Sequence, residues 1–176
     1  MQETNRLILV TVGPDKVGLV EHISRFIVQH GCNIEDSKMA VFVGEFAFIA
    51  LLSGGKQDLA ALGKQSHELA DQTGLNVWVK QPTAKQPARQ TLPYRLTASC
   101  MDHPGVVHRI STALSRLKIN IESMETETYA APISGTPIFR MQAEISVPSD
   151  LNINQLRSLL QEMEKQENVD IELTLT

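Results

Sequence analysis

An internal repeat limits what this chain can fold into more than any other feature. A shift of 87 residues sets 9–35 against 96–122. It aligns Leu9 with Leu96, Asp15 with Asp102, Gly18 with Gly105, Val20 with Val107, Ile23 with Ile110 and Ser24 with Ser111. Asn33, Ile34 and Glu35 then fall on Asn120, Ile121 and Glu122, so nine of 27 positions coincide without a gap. Ordinary composition gives roughly one match in fifteen. The offset is too long for a solenoid repeat of roughly 20–50 residues. In 176 residues it leaves room for two copies of one small domain and little else.

Each copy reads as βαββαβ. In the first, "RLILVTVG" is apolar at nearly every position and reads as a strand covered on both faces. "KVGLVEHISRFIVQHG" follows as a helix, with Val20, Ile23 and Ile27 on its inner face and Gly31 as its stop. "NIEDSKMAVFVG" and "EFAFIALLSG" form a hairpin around Gly44 and Glu45. A second helix carries Leu59, Leu62 and Leu69 inward, and "LNVWVK" closes the module. The second copy repeats the plan, with a longer hairpin connection, "APISGTP". The domains are read as 1–80 and 92–176, joined by the proline-containing linker 81–91. The predicted class is α+β: two ferredoxin-like modules, each an antiparallel sheet with both helices on one face. In "EFAFIALL" both alternating sets of side chains are apolar. The second face of that sheet is therefore expected to lie against the other copy or another subunit, which makes a homodimer a candidate state.

Charge and cysteine content narrow the functions. The net charge is −4, and the 16 basic residues form no run. Phosphate neutralisation supplies most DNA affinity, so direct DNA binding is not expected. No apolar run reaches the roughly 18 residues of a membrane span, and the first residues have no signal-peptide pattern. With two cysteines, a reduced, cytoplasmic setting is expected. His22, His30 and Cys32 cluster in sequence, as do Cys100, His103 and His108. Neither set has Cys-x-x-Cys spacing, so no metal is assigned. No nucleophile elbow, phosphate loop or His–carboxylate set is present, so neither a catalytic residue nor a cofactor is assigned and no enzyme is expected.

The repeated Asp-x-x-Gly, in "GPDKVGLV" and "CMDHPGVV", sits between first strand and first helix. One reading is purely structural: Asp caps the helix and Gly permits close packing. The other is a ligand site, expected at a domain–domain interface. The helix start takes a carboxylate, while the Asp oxygens, with Asn33 or Asn120 at the start of the second strand, take an ammonium. Asn33 and Asn120 also read as caps of local backbone, and Glu35 and Glu122 as solvated strand residues.

With these motifs, and with Gly-x-Asn-Ile at the second strand, each copy resembles an ACT domain, the small amino-acid-sensing module. The resemblance covers nearly the whole chain. It implies ligand contacts at Asp15, Lys16, Gly18, Leu19, Asn33 and Ile34, and at Asp102, His103, Gly105, Val106, Asn120 and Ile121. The stretch 31–54 is similar to that of stand-alone tandem ACT repressors of transcription. This implies glycine as the ligand and a LysR-type activator protein, rather than DNA, as the partner. The alternative within the same resemblance is a regulatory subunit controlling an amino-acid enzyme in trans. Copy two departs from the pattern: Lys118 stands where copy one has Gly31, and Ser123 where it has Asp36. Copy one is therefore the better expected site.

Overall fold

A computed structural model describes residues 5–83 and 90–176. The chain divides into two compact units, Met1–Ala84 and Lys85–Thr176. Unit 1 contains β1 (Asn5–Pro14), α1 (Leu19–Gln29), β2 (Asn33–Phe42), β3 (Glu45–Gly54), α2 (Lys56–Thr73) and β4 (Asn76–Lys80). Unit 2 contains β5 (Thr91–Met101), α3 (Val106–Arg116), β6 (Asn120–Ala130), β7 (Pro137–Pro148), α4 (Ile153–Glu167) and β8 (Asp170–Leu175). The sheets run β2-β3-β1-β4 and β6-β7-β5-β8, and every pairing is antiparallel. These are two ferredoxin-like βαββαβ modules in tandem. Thr91, counted in the linker from sequence, already belongs to β5, and positions 84–89 of that linker lie outside the described residues.

Helix α1 buries Leu19, Ile23, Phe26 and Ile27, the i, i+4, i+7 and i+8 stripe of an amphipathic helix. Val20, expected on this face, is 48% exposed, because the stripe runs through Leu19 on the other side of Ile23. The buried side chains form one core per unit. Leu9, Ile23, Leu52 and Leu62 centre the first, and Leu96, Ile110, Met141 and Leu156 the second. Each such side chain contributes about 1.5–3 kcal/mol on leaving water.

The hairpins end differently. Phe42 pairs with Glu45, leaving Val43 (φ 49°) and Gly44 (φ 84°) as the turn. Positive φ at both central residues marks a type I′ turn, which matches the strand twist. The β6–β7 connection spans 131–136 and is closed by the Ala131 amide donating to the Thr136 carbonyl at 2.8 Å.

The repeated Asn-Ile-Glu has a local cause. The β2–β3 register slips between Ile34 and Asp36, and β6–β7 slips between Ile121 and Ser123. Glu35 and Glu122 are thus the extra residues of two equivalent β-bulges. Arg6 Nε donates to Glu35 Oε2 at 2.8 Å. In unit 2, Asn120 Nδ2 and Ser146 Oγ donate to Glu122 Oε1 at 2.8 and 2.7 Å. Just before each strand, Gly31 (φ 66°) and Lys118 (φ 56°) take the same left-handed conformation. Lys118 adopts it at a steric cost that glycine avoids.

The helices cover one face of each sheet, and the opposite faces differ. In unit 1 the uncovered side carries Ile8, Val10, Val12, Ala47, Ile49, Leu51 and Trp78, with Ile49 45% and Trp78 55% exposed. In unit 2 the corresponding side carries ion pairs, Arg95 with Glu144 at 2.9 Å and Arg140 with Glu127 at 3.4 Å. Among the described residues no helix is long and apolar enough to cross a membrane.

Candidate functional site

The two Asp-x-x-Gly turns fold alike. Gly18 (φ 96°) and Gly105 (φ 98°) are the N-cap residues of α1 and α3, with no side-chain cap at either. The expected capping role of Asp15 and Asp102 is therefore corrected. Their backbones do the positioning instead: Asp15 N–H donates to Gly44 O at 2.8 Å, and Asp102 N–H to Pro137 O at 2.9 Å. Each turn is thereby tied to the hairpin end of its sheet. Glycine is required at 18 and 105 because side chains other than glycine strain at such φ values.

Beside each turn lies an open cavity. The first, ≈ 310 Å³, is lined by Asp15, Lys16, Gly18 and Leu19, with Met39 and Phe46 from the hairpin. The second, ≈ 510 Å³, is lined by Asp102, His103, Gly105 and Val106, with Val107 and Phe139. Phe46 pairs with Gly13 and Phe139 with Cys100, so the two aromatic floors occupy equivalent places. Local sequence did not flag these floor residues. Their signal is the hairpin register, which only the folded sheet reveals.

The structure does not bring Asn33 and Ile34, or Asn120 and Ile121, to these cavities. Asn33 pairs with Ser53, while Pro14 pairs with Glu45 at the opposite end of β3. Nine steps along β2 at about 3.3 Å per residue separate the two ends by roughly 30 Å. Asn120, opposite Ser146, is displaced in the same way. The reason is simple: α1 and α3 carry the chain from one end of the sheet to the other before β2 and β6 begin. Within a single unit, Asn33 and Asn120 lie outside the cavities.

The surroundings of the glycines also differ. Four residues after Gly18, His22 places Nδ1 2.9 Å from the Gly18 carbonyl, which it reaches as a donor if that nitrogen is protonated. The matching residue in unit 2 is Arg109. Its Nη2 donates to His103 Nδ1 at 3.0 Å and to Pro104 O at 3.3 Å. Its Nε lies 2.8 Å from Glu167 Oε2, an ion pair by distance although that N–H is not aimed for a hydrogen bond. A fixed guanidinium thus stands over the second glycine, a place taken by an imidazole in the first. Lys16 points elsewhere: its Nζ would lie 3.6 Å from a Cβ at Gly74, the C-cap of α2, where the helix dipole favours a cation. Among the described residues no group of three or more His, Cys, Asp and Glu side chains could hold a metal ion.

Fold and paired turns define a protein made of two small βαββαβ modules of one kind: the chain belongs to the ACT-domain family, whose models match residues 5–80 and 94–128. Beyond the family, it is 25% identical over 169 residues to the glycine cleavage system transcriptional repressor of Escherichia coli, covering 94% of this chain and 89% of that one. The UPF0237 protein of Methanocaldococcus jannaschii matches one module, with 30% identity over 43% of this chain and 87% of its own. Among solved structures, an unknown protein from Galdieria sulphuraria superposes with a TM-score of 0.81 at 29% identity over 99% of both chains.

Proposed function

We propose that this chain is an amino-acid-sensing regulator of transcription that responds to glycine and acts on a LysR-type activator protein rather than on DNA. One observation carries the reading: similarity to a transcriptional repressor spans 94% of this chain and 89% of that one. The net charge of −4 supports it, since a DNA-gripping surface gathers basic residues. The proposed ligand contacts are Asp15, Lys16, Gly18 and Leu19 in unit 1, and Asp102, His103, Gly105 and Val106 in unit 2. Amides of the first helical turn, unpaired within the helix, meet the carboxylate, and the Asp carboxylate meets the ammonium. For the ligand to act as a switch it must bind the free protein better than the activator-bound form. A coupling of about 1–3 kcal/mol suffices.

Calorimetry with each of the twenty amino acids tests the ligand, and pull-down from extract with and without glycine tests the partner. Glycine heat together with a glycine-released LysR-type activator is the expected result. Silence with glycine and a sequence-specific gel shift by the protein alone overturn it. Capture of an amino-acid biosynthetic enzyme assigns the chain to control of that enzyme in trans.

A further inference from the structure

We infer that the uncovered sheet face of unit 1 is the contact between two copies of this chain, packed face to face about a two-fold axis parallel to the strands. This surface lies on the side of the sheet away from the ligand cavity, and the inference stands whatever the ligand is. Residues directly opposite one another on neighbouring strands share a face, so the pairings define rows across the sheet. One row reads Asp36, Leu51, Ile8, Lys80; the next reads Lys38, Ile49, Val10, Trp78; the third reads Ala40, Ala47, Val12, Asn76. Over these three rows the two middle columns are entirely apolar, and the next row toward the bulge carries Arg6 and Ser53. The outer columns carry an acid and a base at one edge, and an indole and a base at the other.

This pattern is self-complementary in one orientation. A two-fold axis lying between the faces and parallel to the strands exchanges the β2 column with the β4 column. Asp36 then meets Lys80 of the second copy, and Lys38 meets the indole of Trp78 of the second copy. Both contacts occur twice. A Lys ammonium over an indole face is a favourable cation–π arrangement, and the apolar columns of β1 and β3 close on each other in the aligned geometry of packed sheets. An axis across the strands would instead set Lys38 against Lys38. Charge therefore selects the occupant and its orientation, because the surface that satisfies this face is its own copy. The matching side of unit 2, with its paired Arg95, Glu144, Arg140 and Glu127, is a wet face of the ordinary kind.

Trp78 is the only tryptophan in the chain, so its fluorescence reports on this surface alone. The full chain should sediment as a dimer, at twice 19.5 kDa, with blue-shifted emission. Ile49→Glu, at an exposed position, should give a monomer with unchanged circular dichroism and red-shifted emission. Asp36→Lys should raise the dimer dissociation constant about ten-fold or more, and adding Lys80→Asp should restore the dimer. A monomeric parent overturns the inference, whether or not Trp78 is shielded. So does an Ile49→Glu protein that remains dimeric, or an Asp36→Lys defect that Lys80→Asp leaves unrepaired. The charge exchange keeps the test decisive should Ile49→Glu fail to fold.

Discussion

Arg109 packs on Gly105 more tightly than its counterpart His22 packs on Gly18: a Cβ at Gly105 would stand 3.1 Å from the guanidinium Nη1, whereas one at Gly18 would stand 3.6 Å from the imidazole Nδ1. The second turn is pinned from outside by the ion pair to Glu167 and the contacts to His103 and Pro104, and the first is not. Ligand binding should therefore be unequal, with one tight site per chain in a calorimetric titration. Arg109→Ala should raise affinity at the second site while lowering the stability of unit 2 by about 1 kcal/mol, the upper range for a partly exposed ion pair. Two equal sites in the parent protein would refute this.

Gly18→Ala tests the first turn. A Cβ finds space there, but φ at 96° puts any side chain in a strained region. The expected loss of stability is about 1–2 kcal/mol, read as a lower melting temperature. Ligand affinity, measured well below that temperature, should fall if the turn is the site. Normal affinity in a folded Gly18→Ala protein would move the site away from it.

The Glu35 bulge predicts a small effect. Its ion pair with Arg6 joins side chains that are 25% and 52% exposed, so a double-mutant cycle with Glu35→Ala and Arg6→Ala should return a coupling of about 0.2–1 kcal/mol. Ligand affinity should not change, since the bulge lies at the far end of the sheet from the turn. A coupling near zero would mean that backbone geometry alone holds the bulge.

Both thiols should be slow to react. Burial pushes the Cys32 thiol above its ordinary value of 9.0, and Asp58 adds to the shift. For Cys100, burial again leads, and Asp102 and Asp170 raise it further against the opposing pull of Arg109. A pKa higher in the folded than in the unfolded chain means that the fold favours the protonated thiol. That stabilisation is complete below about pH 9 and is lost as pH rises beyond it. Alkylation at pH 8 should be slower than for free cysteine, and Cys32→Ala with Cys100→Ala should lessen the alkaline fall in melting temperature. Rapid labelling of the native protein at pH 8 would contradict this.

Much of the fold was legible because the repeat constrained it twice. Leu59, Leu62 and Leu69 read correctly as inward-facing since helical period and apolar spacing agree over several turns. Within unit 1 Asn33 sits far from the turn for a different reason. A strand start is adjacent in sequence to a helix end, and nothing local says that the same helix began at the other end of the sheet. The capping role given to Asp15 failed likewise. A glycine with positive φ can begin a helix without side-chain help, and φ is not written in residue type. Phe46 and Phe139 became visible as cavity floors only through the cross-strand register.

The shared bulges carry a consequence for engineering. Each sits at the start of its strand and sets the hairpin register from that end, so length can change at the other end without shifting the ladder. The chain shows this directly: Val43 and Gly44 close one hairpin, and 131–136 the other, over equivalent sheets. The crest of that longer connection, where Ile133 is fully exposed, is therefore the place where a short tag or a reporter peptide can be grafted.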